Sequence, residues 1–170
     1  NFRDDELITR KVNGQSKAVG MTFGKLADGF NRFAALGATV IAAIAGIGFG
    51  LKNLVNKYPL DYYNPGDAFI TNDPWALAGH LNDVCVMSPI FYMDKLVAFT
   101  ACVFHHSDIG GRVASDNHNV FEEGLFIPLV KLYDRGVLNQ SVLDMIRWNV
   151  RTPDEVIGDI RSQIAANHVC

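Results

Sequence analysis

The chain has 170 residues, a formal net charge of −3, and 49% hydrophobic and 19% charged residues. That balance suits a globular protein with one core and excludes a basic field for nucleic acid, since no Lys/Arg cluster is interleaved with aromatics. Three cysteines without a CxxC exclude a disulfide framework and point to a reducing, cytoplasmic setting.

Residues 1–25 are polar and weakly patterned, and the chain begins with Asn1 rather than Met. It stops at Cys170 inside a helical pattern, so it is expected to be a piece of a larger fold, one partial domain over 1–170. The pattern predicts a helix over 33–57. Its charge-free part, Phe33 to Leu51, is about long enough to cross a bilayer. Its composition argues otherwise: Phe33, Leu36, Val40, Ile44, Ile47 and Leu51 recur at helical spacing beside Ala and Gly. The run therefore reads as a helix buried on both sides, not a membrane span.

Asn64-Pro65-Gly66-Asp67 is a turn leading into a short strand over 68–71. Strands are predicted over 84–91 and 96–104, joined as an antiparallel hairpin through Tyr92-Met93-Asp94-Lys95. Cys85 and Cys102 lie in these apolar runs as small hydrophobes. Gly110 to Glu123 reads as loop, with His118 and Glu122-Glu123 as a solvated loop and helix start. Helices are predicted over 139–150 and 153–169. Thr152, Pro153 and Glu155 form a capping box, and Val156, Ile157, Ile160 and Ile164 form the buried stripe. The fold class is α+β, a mixed or antiparallel sheet packed with helices.

Two histidine–carboxylate clusters flank the hairpin, Gly79-His80-Leu81-Asn82-Asp83 and His105-His106-Ser107-Asp108-Ile109-Gly110-Gly111. Imidazole nitrogens and carboxylate oxygens leaving the ends of adjacent strands suit a borderline-soft divalent ion. On spacing alone, a hydrogen-bonded turn accounts for the same residues, and both readings stay open. Period-two alternation puts Val97, Phe99, Ala101, Val103 and His105 on one face. His105 is thus expected to point where buried residues point and to be the better ligand. His106 falls on the other face and is left for a substrate or a hydrogen bond. Asp73, in Asn72-Asp73-Pro74, is first of all a turn residue.

The string from Pro65 to Pro74, then His80 to Asp83, then His105 to Gly111, resembles the hydantoinase B/oxoprolinase family. So do the run Glu123 to Tyr133 and the segments Asn149 to Glu155, Gly158 to Arg161 and Gln163 to Ala166. The resemblance covers roughly residues 60–168, and the shared order of these blocks makes it specific. It implies the metal-containing B-type half of an ATP-dependent enzyme that works with a hydantoinase A-like, ATP-binding partner. Two phosphate-loop near misses agree with that division. Gly20-Met21-Thr22-Phe23-Gly24-Lys25 is one residue short of a P-loop, and Gly46-Ile47-Gly48-Phe49-Gly50 lacks the spacing and strand of a dinucleotide turn.

The expected site has His80, Asp83 and His105 as ligands of Zn, Mn or Fe. Asp108 is expected to orient an imidazole or complete the coordination, and His106 to shuttle a proton. The substrate implied is a cyclic amide such as a hydantoin or 5-oxoproline. The related ketone carboxylases and a non-catalytic assembly subunit are the alternatives. Three departures from the family pattern stand out. Asn82 replaces a usual Pro, Arg112-Val113-Ala114-Ser115-Asp116 replaces a Gly-Ser-Met type loop, and only Ala27-Asp28-Gly29 echoes the family's Arg-Asp-Phe-Ser segment.

Overall fold

Alternation along two strands explains the centre of the molecule. In this computed structural model, which describes residues 7–12, 15–22, 46–77, 79–112 and 116–169, the chain divides into two compact units, 1–42 and 43–170. In the first, β1 (Leu7–Val12) and β2 (Gln15–Thr22) pair antiparallel with Val12 opposite Gln15. Within the stretch expected to be weakly patterned, the described residues 7–12 and 15–22 are thus paired strands. The dipeptide between these strands is Asn13-Gly14, a type I′ turn signal in the sequence.

The second unit is built on β3 (Ala68–Thr71), β4 (Asp83–Tyr92), β5 (Lys95–His105), β6 (Val130–Asp134) and β7 (Val137–Leu138). They form a five-stranded sheet in the order β5-β4-β3-β6-β7, every neighbouring pair antiparallel. Its helices are α1 (46–57), α2 (Val120–Glu123), α3 (Gln140–Asn149) and α4 (Pro153–Val169). The fold is α+β, and the sheet is antiparallel rather than mixed. The β4–β5 turn has Met93 and Asp94 at positive φ, 48° and 61°, so the expected hairpin is tight even without a glycine. The β6–β7 hairpin was not foreseen; it turns at Arg135-Gly136, also both at positive φ.

Both faces of the sheet are covered at its centre, which is why β3 is buried at every position. Ala68, Ile70, Val84 and Val86 face Leu143, Ile146, Val156, Ile157 and Ile160 of α3 and α4. Phe69, Cys85 and Met87, one residue out of phase, pack with Leu54 of α1, Tyr63 and Leu129. Burial pushes the Cys85 thiol up to about 12, with Cys102 adding to the effect, so it stays protonated as a core hydrophobe. Among the described residues no helix is long and apolar enough to cross a membrane. The part of the expected first helix over 33–45, and Ala27-Asp28-Gly29, lie outside the described residues.

Side-chain amides on α4 fasten it to the sheet. Gln163 Nε2 donates to the Val84 and Cys102 carbonyls at 2.9 and 3.0 Å, and Asn167 Nδ2 donates to Val86 O at 2.9 Å. A hydrogen bond is directional, so these contacts fix the helix in register where apolar packing alone tolerates sliding.

Candidate metal centre

The β4–β5 register places Asp83 directly opposite His105 at the open end of the hairpin. His80 sits on the turn that feeds β4, where the Asp83 N–H donates to His80 O at 3.3 Å. Asp83 lies between the two rings. Its Oδ2 is 3.2 Å from His80 Nε2 and its Oδ1 is 2.9 Å from His105 Nδ1. The ring centroids are 4.8 Å apart, and one donor atom from each of the three residues lies within 4.8 Å of the others. All three expected ligands are thus brought together.

The two loops that carry them are clamped to each other. The His106 N–H donates to Asn82 O at 2.8 Å, and Asn82 Nδ2 donates to His106 O at 2.8 Å. Asn82, the departure from the usual proline, supplies the second bond; a proline has no side-chain donor for it.

The expectation that His105 points into the buried face is corrected. His105 is exposed, with 62% of its side chain accessible, whereas His106 is fully buried. Alternation holds, but the cluster beside Phe99, Ala101 and Val103 ends before residue 105. On the opposite face α4 continues far enough to cover residue 106. There His106 Nε2 pairs with Gln163 Oε1 at 3.1 Å. Gln163 donates its amide to two carbonyls, so its oxygen must accept and the proton resides on His106 Nε2. His106 Nδ1 is then a buried acceptor with no hydrogen-bond partner. Burial lowers the His106 pKa, against the smaller opposing effects of Gln163 and Asp159, so the ring is neutral at pH 7. Its ring is not part of the cleft wall.

Asp108 is held differently from what the sequence suggested. Oδ1 accepts from Gly110 N at 2.9 Å and from Arg151 Nη1 at 2.8 Å; Oδ2 accepts from the Arg151 and Thr152 N–H groups. Burial pulls its pKa upward, but these donors and the Arg151 guanidinium outweigh it, leaving the carboxyl below its ordinary range. Asp108 therefore supplies an anion to the start of α4 from a distant loop, where the sequence predicts a local cap. Gly110 is required here. Its φ is +87°, and a Cβ there would meet the Asn149 carbonyl.

The two imidazoles of the triad open onto a cleft of about 650 Å³ whose walls include His80, His105, Ser107, Asp108, Glu123 and Arg151. Asp73 lines a separate groove with Trp75 and Lys57, and its Oδ1 accepts Trp75 N–H in a turn. Two contributors escaped the sequence reading. Asn72, fully buried, donates to Leu81 O and Leu125 O and accepts from Ile127 N. Glu123 accepts Leu81 N–H at 2.9 Å. The sequence shows the first only as part of a turn and the second only as a helix start.

A sequence model of the hydantoinase B/oxoprolinase family matches residues 25–170. A putative B-type component of a D-/L-hydantoinase from a Pseudomonas species is 38% identical over 114 residues, covering 64% of this chain and 19% of that protein. The crystal structure of the ATP-dependent caprolactamase from Pseudomonas jessenii aligns with TM-score 0.65 and 33% identity, over 71% of this chain and 21% of that one. The nucleotide-free structure of an ATP-dependent acetone carboxylase aligns with TM-score 0.63 and 25% identity, over 76% and 18%. The chain spans about a fifth of the length of the curated relatives it matches.

Proposed function

We propose, from the premise that this chain belongs to the hydantoinase B/oxoprolinase family, that it holds the divalent metal of an ATP-dependent enzyme that opens a cyclic amide. The carrying observation is the convergence of His80, Asp83 and His105, with both imidazoles in the wall of one open cleft. Two imidazoles and a carboxylate fit Zn, Mn or Fe, and the open side leaves room for a small ring. When bound, the ion supplies Lewis acidity toward the amide carbonyl oxygen.

The protein's own contribution is placement. Asp83, on the stiff end of β4, sets the separation of the two imidazoles, and the Asn82–His106 clamp keeps their loops together. Asp108, itself in the cleft wall, holds Arg151 there. His106 stays neutral and supports the fold beneath His105. ATP is bound by a hydantoinase A-like partner in the cytoplasm, a reading supported by the naming of the relatives as parts of larger assemblies.

The test is elemental analysis of the purified protein with and without that partner, comparing wild type with His80→Ala and His105→Ala. The expected result is near-stoichiometric metal in wild type, with metal and substrate-dependent ATP hydrolysis lost together in both variants. An active complex without metal would overturn the proposal. A ketone carboxylase component is the second reading, favoured by the acetone carboxylase likeness. ATP turnover that needs bicarbonate and a ketone rather than a cyclic amide would select it.

A further inference from the structure

The Glu122-Glu123 pair reads in the sequence as a solvated helix start, yet Glu123 lines the same cleft as His80 and His105. Its Oε2 accepts the N–H of Leu81, the residue that follows His80. Leu81 is fully buried, and its carbonyl accepts from Asn72 Nδ2 at 2.8 Å. Both ends of this residue are therefore pinned, the N–H by Glu123 and the C=O by Asn72, and the His80 backbone is held with them.

The Glu123 end is fixed in turn. Leu125 N–H donates to Ile109 O at 2.8 Å, Arg112 N–H donates to Glu122 O at 2.7 Å, and Gly110 and Gly124 form a β-bridge. A Cβ at Gly111 would meet the Glu123 carbonyl, so the segment that follows His105 packs directly on the Glu123 backbone. One junction thus joins the segment after His105 to the turn that carries His80.

We propose that Glu123 is a positioning residue of the metal centre. Its carboxylate ties the His80 turn to the His105 segment and keeps His80 Nε2 beside Asp83 and His105. This rests on the metal reading of those three donors. The property that matters is the acceptor oxygen, because the contact it makes is to a backbone N–H.

Three measurements on wild type, Glu123→Gln and Glu123→Ala test it. They are Zn(II) affinity by chelator competition, the d–d spectrum of the Co(II)-loaded protein, and hydrogen exchange of the Leu81 amide in the metal-free protein. Glu123→Ala is expected to weaken Zn(II) by about 10–100-fold, alter the Co(II) spectrum and speed Leu81 exchange. Glu123→Gln is expected to stay near wild type in all three, because its amide oxygen accepts the same N–H. Unchanged Leu81 exchange in Glu123→Ala would overturn the proposal. So would Glu123→Gln failing as badly as Ala, since charge rather than the hydrogen bond would then be what counts. A wild type that bound no Zn(II) would refute the metal reading, and Leu81 exchange would still decide whether Glu123 holds the turn. If the Ala variant does not fold, Glu123→Met, similar in volume and without the carboxylate, carries the same measurements.

Discussion

The segments Gly79–Asp83 and His105–Gly111 are alike in composition and unlike in use. The first gives its histidine and its aspartate to the triad. The second gives the triad only His105; its other histidine is sealed under α4, and its aspartate, although it lines the cleft, is engaged by four donors, three of them at the start of that helix. Residue type decides what a side chain can do, and the packing around it decides which of those things it does.

The comparison breaks most visibly at Asp83. Replacing it with Ala is expected to weaken metal binding by more than the roughly 10–100-fold typical of outer partners. Unfolding free energy in urea should move by only about 1 kcal/mol, because its partners, the His80 and His105 rings, are themselves open to solvent. A large stability loss with metal affinity intact would reverse the assignment.

Asp108→Ala is the opposite case. It strips several donors of a largely buried anion, and a loss of about 3 kcal/mol in urea unfolding is expected. Metal affinity of the folded fraction should change little. The same residue gives a pH signature. Its folded pKa is depressed, so its stabilisation is fully present above the unfolded carboxyl value and is lost as pH falls through the folded one. Wild type should therefore lose stability on acidification below about pH 4, and Asp108→Asn should show a flatter profile there.

His106→Leu removes the partner of Gln163 Oε1 while filling much of the same space. A stability cost of about 1–2 kcal/mol is expected, with metal stoichiometry retained. Loss of metal at full stability would return His106 to the site. The smallest effect belongs to Asn82→Ala, which removes one of the two clamp bonds. About 1 kcal/mol of stability and a modest drop in metal affinity should follow.

Much of the fold is legible locally. The hairpin of β4 and β5, the short β3 and the helices α3 and α4 follow from period-two and period-3.6 patterns with their turn residues. The β1–β2 and β6–β7 hairpins carry weaker patterns. Their clearest signals are the dipeptides Asn13-Gly14 and Arg135-Gly136, the second of which has an Arg where Asn or Asp is usual. At the expected capping box, Asp108, forty-four residues away, accepts the Thr152 N–H that a local box would leave to Glu155.

By itself the sequence determined the family and the α+β class and singled out His80, Asp83 and His105 as residues to look for together, since these depend on residue type and short-range spacing. Only the tertiary structure decided that His105 is open and His106 buried, that Asp108 serves a helix start, and that Asn72 and Glu123 pin the turn carrying His80. Those outcomes depend on how α4 lies across the sheet and on hydrogen bonds between residues far apart in the chain, which no local pattern records.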